Sequence, residues 1–134
     1  MLSISNTGKY GLRGLLYLVK HKDQGFIKID RVAKEENIPE NYLRKIFQRL
    51  IKHRIVESGV GPGGGVKISK EADGISIAQA IEVIDGRPPF GGCTLFGYDK
   101  CPQLEHCPIH RDCDRTTRQL WETLTKSKIK DLYP

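Results

Sequence analysis

All four cysteines of the chain and two of its four histidines fall between Cys93 and Cys113. Cys93, Cys101, Cys107, His110 and Cys113 set the spacing C-x7-C-x5-C-x2-H-x2-C. Thiolates select zinc, copper(I) or iron-sulfur iron, and a single imidazole beside them suits zinc or a mixed-ligand cluster. Paired C-x2-C knuckles, the commonest structural zinc spacing, are absent, which lowers zinc relative to a cluster. From Gly91 to Asp114 the residues are mostly Gly, Pro, Asp, Cys and His with isolated Leu, Phe and Ile, so over most of its length the stretch shows no regular periodicity. It reads as an ordered loop held by something other than its own core. A pair of disulfides is the competing pattern, and it suits secreted chains. Met1 to Thr7 is short and uncharged and Leu15 to Val19 is too brief to cross a membrane, so neither a signal peptide nor a span is expected.

Positioning that loop requires a scaffold, and 134 residues suffice for one domain with its own core. Ser5, Asn6 and Thr7 offer caps for a helix over residues 5–22, with Leu12, Leu15, Leu16 and Val19 on one face. A second helix fits Asp30 to Glu36 with Asp30 as cap, and Asn37 tolerates the left-handed turn after it. Pro39 suits the first position of a third helix with the apolar stripe Leu43, Ile46, Phe47, Leu50 and Ile51. Two short helices joined by about three residues make a helix-turn-helix. The third helix turns Glu40, Asn41, Arg44, Lys45, Gln48, Arg49 and Lys52 outward, and from Arg44 to Arg54 there are five Lys or Arg and no acid. With a net charge of +6 and a pI near 9.2, this face suits double-stranded DNA. Ile55 to Ser58 and Val66 to Ser69 flank a glycine-rich tip, a hairpin that reads as a wing. Gly63 and Gly64 there let the backbone approach a phosphate closely.

Ser76-x-x-Gln79 announces another short helix as a capping box, and Gly86, Pro88 and Pro89 end it. Thr116 to Asp131 reads as a longer last helix with Leu120, Trp121 and Leu124 on one side, a face for a second copy or for the first helix. The expected class is therefore mainly α with a small β-hairpin wing. Residues 1–75 form the winged helix-turn-helix, and residues 76–134 form the cysteine loop and last helix of the same compact chain. No nucleotide motif, acid-base pair or small-molecule substrate site is evident, so an enzyme is not expected, and an electron-transfer protein would not need the basic helix.

Four features carry a resemblance: Gly8-Lys9-Tyr10-Gly11-Leu12-Arg13; Tyr42-Leu43-Arg44-Lys45-Ile46-Phe47 with Leu50; the tip Gly61-Pro62-Gly63-Gly64-Gly65; and the three-cysteine loop before a final helix. Over nearly its full length the chain resembles the winged-helix iron-sulfur regulators typified by IscR and NsrR. The resemblance implies a cytoplasmic homodimer with crossing last helices. It implies a transcription factor on a roughly palindromic operator, responsive to redox, nitric oxide or iron-sulfur status. Tyr42 and Arg54 complete the expected DNA side of the chain. It also implies an iron-sulfur cluster, 2Fe-2S ahead of 4Fe-4S, on three cysteines and one further ligand. Zinc-stabilised or thiol-based regulation is the alternative. Val60 and Val66 stand where the family often has a basic residue and an aromatic, which argues against minor-groove reading by the wing. Lys9 stands where some relatives have a carboxylate ligand, and the first cysteine interval is x7 where relatives such as IscR have x5. For the fourth ligand, a helix beginning near Cys107 favours His110, one turn on, while a loop irregular to Arg111 favours Cys113. The expected set is Cys93, Cys101, Cys107 and His110, with Cys113 as the alternative fourth ligand.

Overall fold

The computed structural model describes residues 4–132 except Pro88, Pro89, Thr94 and Leu104 and the side chain of Asp73. Helix α1 runs Asn6–Lys20, capped by the Ser5 hydroxyl, which accepts from the Gly8 N–H. Its buried face is centred on Gly8, Gly11, Gly14, Leu15 and Leu18, with Leu12, Leu16 and Val19 half-buried at the margins. A Cβ added at Gly11 would lie 2.5 Å from Ile84 Cδ1, and one at Gly14 would lie 2.9 Å from Leu43 Cδ1. Two neighbouring helices therefore approach the α1 backbone directly, a contact that a hydrophobicity pattern does not reveal.

Those neighbours are α3 (Glu40–Lys52) and α4 (Ile77–Asp85), while α2 (Ile29–Glu36) packs on α1 and α3. Lys28, not Asp30, is the N-cap of α2; the Asp30 carboxylate instead accepts from the Arg31 N–H in the first turn. Asn37 is left-handed at φ 54°, and the Ile38 N–H reaches back to the Ala33 carbonyl, so the short turn to α3 closes with buried Ile38 beneath it. Pro39 is the N-cap of α3 and one residue outside the predicted start. Two polar ties fix α2 to α1. Arg13 donates to the Glu36 carbonyl, and the Tyr17 hydroxyl donates to Glu35, which also pairs with Arg31 at 3.2 Å. Burial, then Glu35, pushes the Tyr17 phenol up, and the Tyr17 and Arg31 bonds hold Glu35 below the usual carboxylate range.

The wing pairs β1 (Val56–Gly59) with β2 (Gly65–Ile68) antiparallel, Val56 opposite Ile68 and Gly59 opposite Gly65. Ile27, between α1 and α2, adds a short third edge by exchanging both backbone bonds with Val66 at 2.8 Å. The capping box of α4 forms as predicted, with Ser76 and Gln79 bonded reciprocally. Gly86 follows; Pro88 and Pro89 lie outside the described residues.

The last helix departs most from expectation. Helix α5 runs His110–Lys126, six residues earlier at its start and five at its end than the predicted 116–131. Its first two turns have no apolar stripe and are stitched instead by Asp112–Arg115 at 2.7 Å and Asp114–Arg118 at 2.8 Å. After Ser127 the chain turns back, the Ile129 N–H donates to the Ile75 carbonyl, and Ile129 enters the main core at 2% exposure.

Gly65 is the wing position most sensitive to substitution, because its φ is 142° and an added Cβ would collide with the Ile27 carbonyl. Gly65→Ala is expected to lower unfolding stability by roughly 1–3 kcal/mol. Gly63→Ala, with nothing within 4 Å of the added carbon, should be near neutral. Urea denaturation of the two variants checks this, and equal stabilities would contradict the wing geometry.

Candidate nucleic-acid interface and metal centre

Burial of Leu43, Ile46, Phe47 and Leu50 on one side of α3 leaves Asn41, Arg44, Lys45, Gln48 and Lys52 along the opposite, solvent-facing stripe. Tyr42 flanks it at 51% exposure, its ring set edge-on to Tyr10 of α1 at 6.1 Å between centroids. Arg44 pairs with Glu40 at 2.6 Å one turn back. Such an exposed helical pair contributes about 0.3–0.5 kcal/mol, while a bidentate guanine contact gives about 1–3 kcal/mol of discrimination. Glu40 therefore pre-orients Arg44 without holding it from a base.

Arg49 sits differently. Its guanidinium donates to the Ile84 carbonyl of α4 at 2.8 Å, so this member of the expected DNA face is engaged within the fold. Arg54 occupies the left-handed position after α3 at φ 60°, and the Ile55 N–H returns to the Leu50 carbonyl. Arg54 is exposed there, directly after the helix stops. At the wing tip the Gly64 N–H closes a turn on the Gly61 carbonyl, and Val60 is 98% exposed. Gly63 has open space around it, whereas an added Cβ at Gly64 would strike the Gly59 carbonyl.

The cysteine loop is fastened at its entry. Phe90 packs edge-on against Trp121 at 6.3 Å, with the Arg118 guanidinium 4.7 Å from the centre of the Phe90 ring. The Gly91 N–H donates to Asp114 at 3.0 Å, and the Gly91 carbonyl accepts from the Cys101 N–H at 3.3 Å. The Cys93 N–H donates to the Tyr98 carbonyl at 2.7 Å, which folds the segment between the first two cysteines back on itself. Arg118 holds the Asp114 carboxyl below its usual range, against partial burial, and the Gly91 N–H adds to the effect. Any stability this group contributes is thus present above its unfolded pKa and is lost as pH falls through the lowered folded value.

All four cysteines are unbridged and half-buried. His110 is the first residue of α5, and its N–H faces the Cys107 carbonyl at 3.4 Å. His110 and Cys113 thus stand one turn apart on α5, while His110 closes a turn on Cys107 before the helix begins. His110, Cys113, Asp114, Thr117, Trp121 and Leu124 form the less exposed stripe of α5. Among the described residues no three His, Cys, Asp or Glu side chains converge as a set that could hold a metal ion. The donor types suit an iron-sulfur cluster, and among the described residues they are not gathered into one set.

The predicted dimer face divides. Trp121 is buried against Ala78 and Ile81 of its own chain, with Leu124 packed on the same cluster, while Leu120 stays exposed. None of the described helices is long and apolar enough to cross a membrane.

The chain is 32% identical over 130 residues to a protein of Aquifex aeolicus (strain VF5) named as an HTH-type transcriptional regulator, covering 96% of this chain and 89% of that one. It is 28% identical over 131 residues to the HTH-type transcriptional regulator IscR of Erwinia tasmaniensis, covering 96% and 78%. Its fold overlays that of CymR, the global cysteine regulator of B. subtilis, with a TM-score of 0.77, 27% identity and coverage of 98% and 96%. Residues 4–134 match the Rrf2 family, described as iron-dependent transcriptional regulator. Since that match takes in the basic helix, the wing and the cysteine loop together, the chain belongs to the Rrf2 family of winged-helix transcriptional regulators.

Proposed function

We propose that this Rrf2-family regulator binds a roughly palindromic duplex as a homodimer, and that an iron-sulfur cluster tunes its binding. The observation that carries the reading is the set of four unbridged, half-buried thiols in a loop and helix start pinned to α5 through Phe90, Gly91 and Asp114. Cys93, Cys101 and Cys107 with His110 or Cys113 would hold the group, 2Fe-2S ahead of 4Fe-4S. What it supplies when bound is a redox-active centre that responds to oxidants, nitric oxide or iron-sulfur supply. The chain's own part is to hold these donors beside α4 and α5 while α3 presents Asn41, Arg44, Lys45, Gln48 and Lys52 to a major groove. A cytoplasmic setting, in which thiols stay reduced, goes with this reading.

A second reading is a regulator that acts through the thiols without a cluster, and the four unbridged, half-buried cysteines would supply it. Purification without oxygen, with iron and sulfide analysis, separates the two. A brown protein with visible charge-transfer bands supports the cluster, and a colourless one free of iron and sulfide supports the thiol mechanism. A colourless chain that retains zinc would favour a zinc-stabilised regulator.

Arg44→Ala is expected to relax base preference at one position of each half-site, a loss of about 1–3 kcal/mol of discrimination. Binding selections on a randomised operator measure it, and unchanged preference with weaker overall affinity would make Arg44 a phosphate contact. For the fourth ligand, His110→Ala should lose or destabilise the visible bands while Cys113→Ser keeps them. The reverse outcome transfers the role to Cys113 and makes the site all-cysteine, which favours 4Fe-4S.

Dimerisation rests on the outward side of α5, where Leu120 is the exposed apolar residue. Leu120→Asp should shift the chain toward monomer in sedimentation runs and weaken operator binding. It avoids Leu124, whose replacement would disturb the Trp121 cluster instead. A wild-type chain that is monomeric at micromolar concentration contradicts the arrangement.

A further inference from the structure

The last turn of α4 is a junction between three parts of the molecule. The Ile84 carbonyl accepts from Arg49 of α3, and Ile84 itself, 1% exposed, lies beneath Gly11 of α1. The adjacent Asp85 carboxylate accepts from the Ser5 N–H at 2.9 Å and from the Ser5 hydroxyl, so it also holds the start of α1. Directly after Asp85 comes Gly86 at φ 85°, and the chain then leads to Phe90, Gly91 and Cys93. Ile84 O is one of the last-turn carbonyls that a helix leaves without an internal partner, and a cation is favoured at that negative helix end. Turning Arg49 toward a phosphate would abandon this acceptor.

We propose that Arg49 is a positioning residue that fastens the recognition helix to the last turn of α4 and so passes the state of the cysteine loop to the DNA-reading face. The proposal rests on the reading of that loop as the sensing site. Its physical basis is a direct side-chain tie between α3 and the turn from which the loop departs, reinforced on the other side by Trp121 packing on Ile81 of the same α4. A rearrangement of the loop moves α4, and Arg49 converts that movement into a displacement of α3.

The test uses the reduced, cluster-free chain with and without N-ethylmaleimide on its cysteines, as wild type, Arg49→Met and Arg49→Lys. Met keeps the aliphatic stem but removes donors and charge; Lys keeps the charge and a donor. In wild type, modification of the loop should change amide exchange in α3. In Arg49→Met the change should stop at α4, and Arg49→Lys should recover part of it; if the Met variant does not fold, the Lys comparison decides by itself. An α3 that responds equally in wild type and both variants, or that does not respond in wild type, overturns the proposal.

DNA binding supplies an independent arm. The wild-type affinity should differ between the two loop states by roughly 5- to 150-fold, the usual span of allosteric coupling, and Arg49→Met should shrink that ratio while leaving the salt dependence unchanged. A salt slope lowered by about one unit would identify Arg49 as a phosphate contact and overturn the proposal. Equal wild-type affinities in the two states would remove the sensing function of the loop, while amide exchange would still decide the Arg49 tie.

Discussion

The closeness of α1 to its neighbours is the constraint on which the remaining geometry depends. Gly11 meets Ile84 and Gly14 meets Leu43 and Phe47, so side chains of α3 and α4 rest directly on the α1 backbone. Interiors packed at crystal-like density transmit displacement instead of absorbing it. Because α3 carries the basic stripe and α4 leads into the cysteine loop, the glycine-lined face of α1, with Leu15 and Leu18 beside it, sets the relation between the two regions. The polar ties from Arg13 and Tyr17 add the orientation of α2, and with it the angle at which the turn at Asn37 presents α3.

Much of the DNA-reading half is legible in the residues themselves. Asn37 marks a left-handed helix stop, Ser76 and Gln79 spell a capping box, and the apolar positions of α3 fix which side faces solvent. These signals are local: each needs only a few neighbouring residues and a known backbone preference. The start of α5 is hidden for the opposite reason. His110 to Arg115 has no apolar periodicity, and the turn is held by Asp112, Asp114, Arg115 and Arg118 pairs together with the loop entry docked on it. Trp121 is equally ambiguous, since an apolar stripe says that a helix packs but not against what. Arg49 looks like any other cation of its run until Ile84 is placed beside it, thirty-five residues away in sequence.

The loop itself combines order at its entry with incomplete convergence of its donors. Phe90, Gly91 and Asp114 give it a fixed origin on α5, and Cys113 and His110 belong to that rigid helix. Cys93, Cys101 and Cys107 lie on irregular backbone, and their N–H groups donate to the Tyr98, Gly91 and Gln103 carbonyls. Part of the donor set is therefore anchored and part is carried on backbone that can adjust. The apolar contacts of Trp121 with Ala78 and Ile81 do not involve the thiols, so the packing of α5 on α4 is independent of them.

The return of the chain at Ile129 bears on how the protein is made. Ile129 joins the same core as Leu15, Leu18 and Val66, residues that leave the ribosome far earlier. At a synthesis rate of about 5–20 residues per second, the basic helix and wing wait several seconds before the segment that covers this part of their core can arrive. During that interval the apolar surface later covered by Ile129 is open to chaperones and to aggregation. The nascent chain is therefore at its most vulnerable when its DNA-reading elements already exist and the last piece of their packing does not.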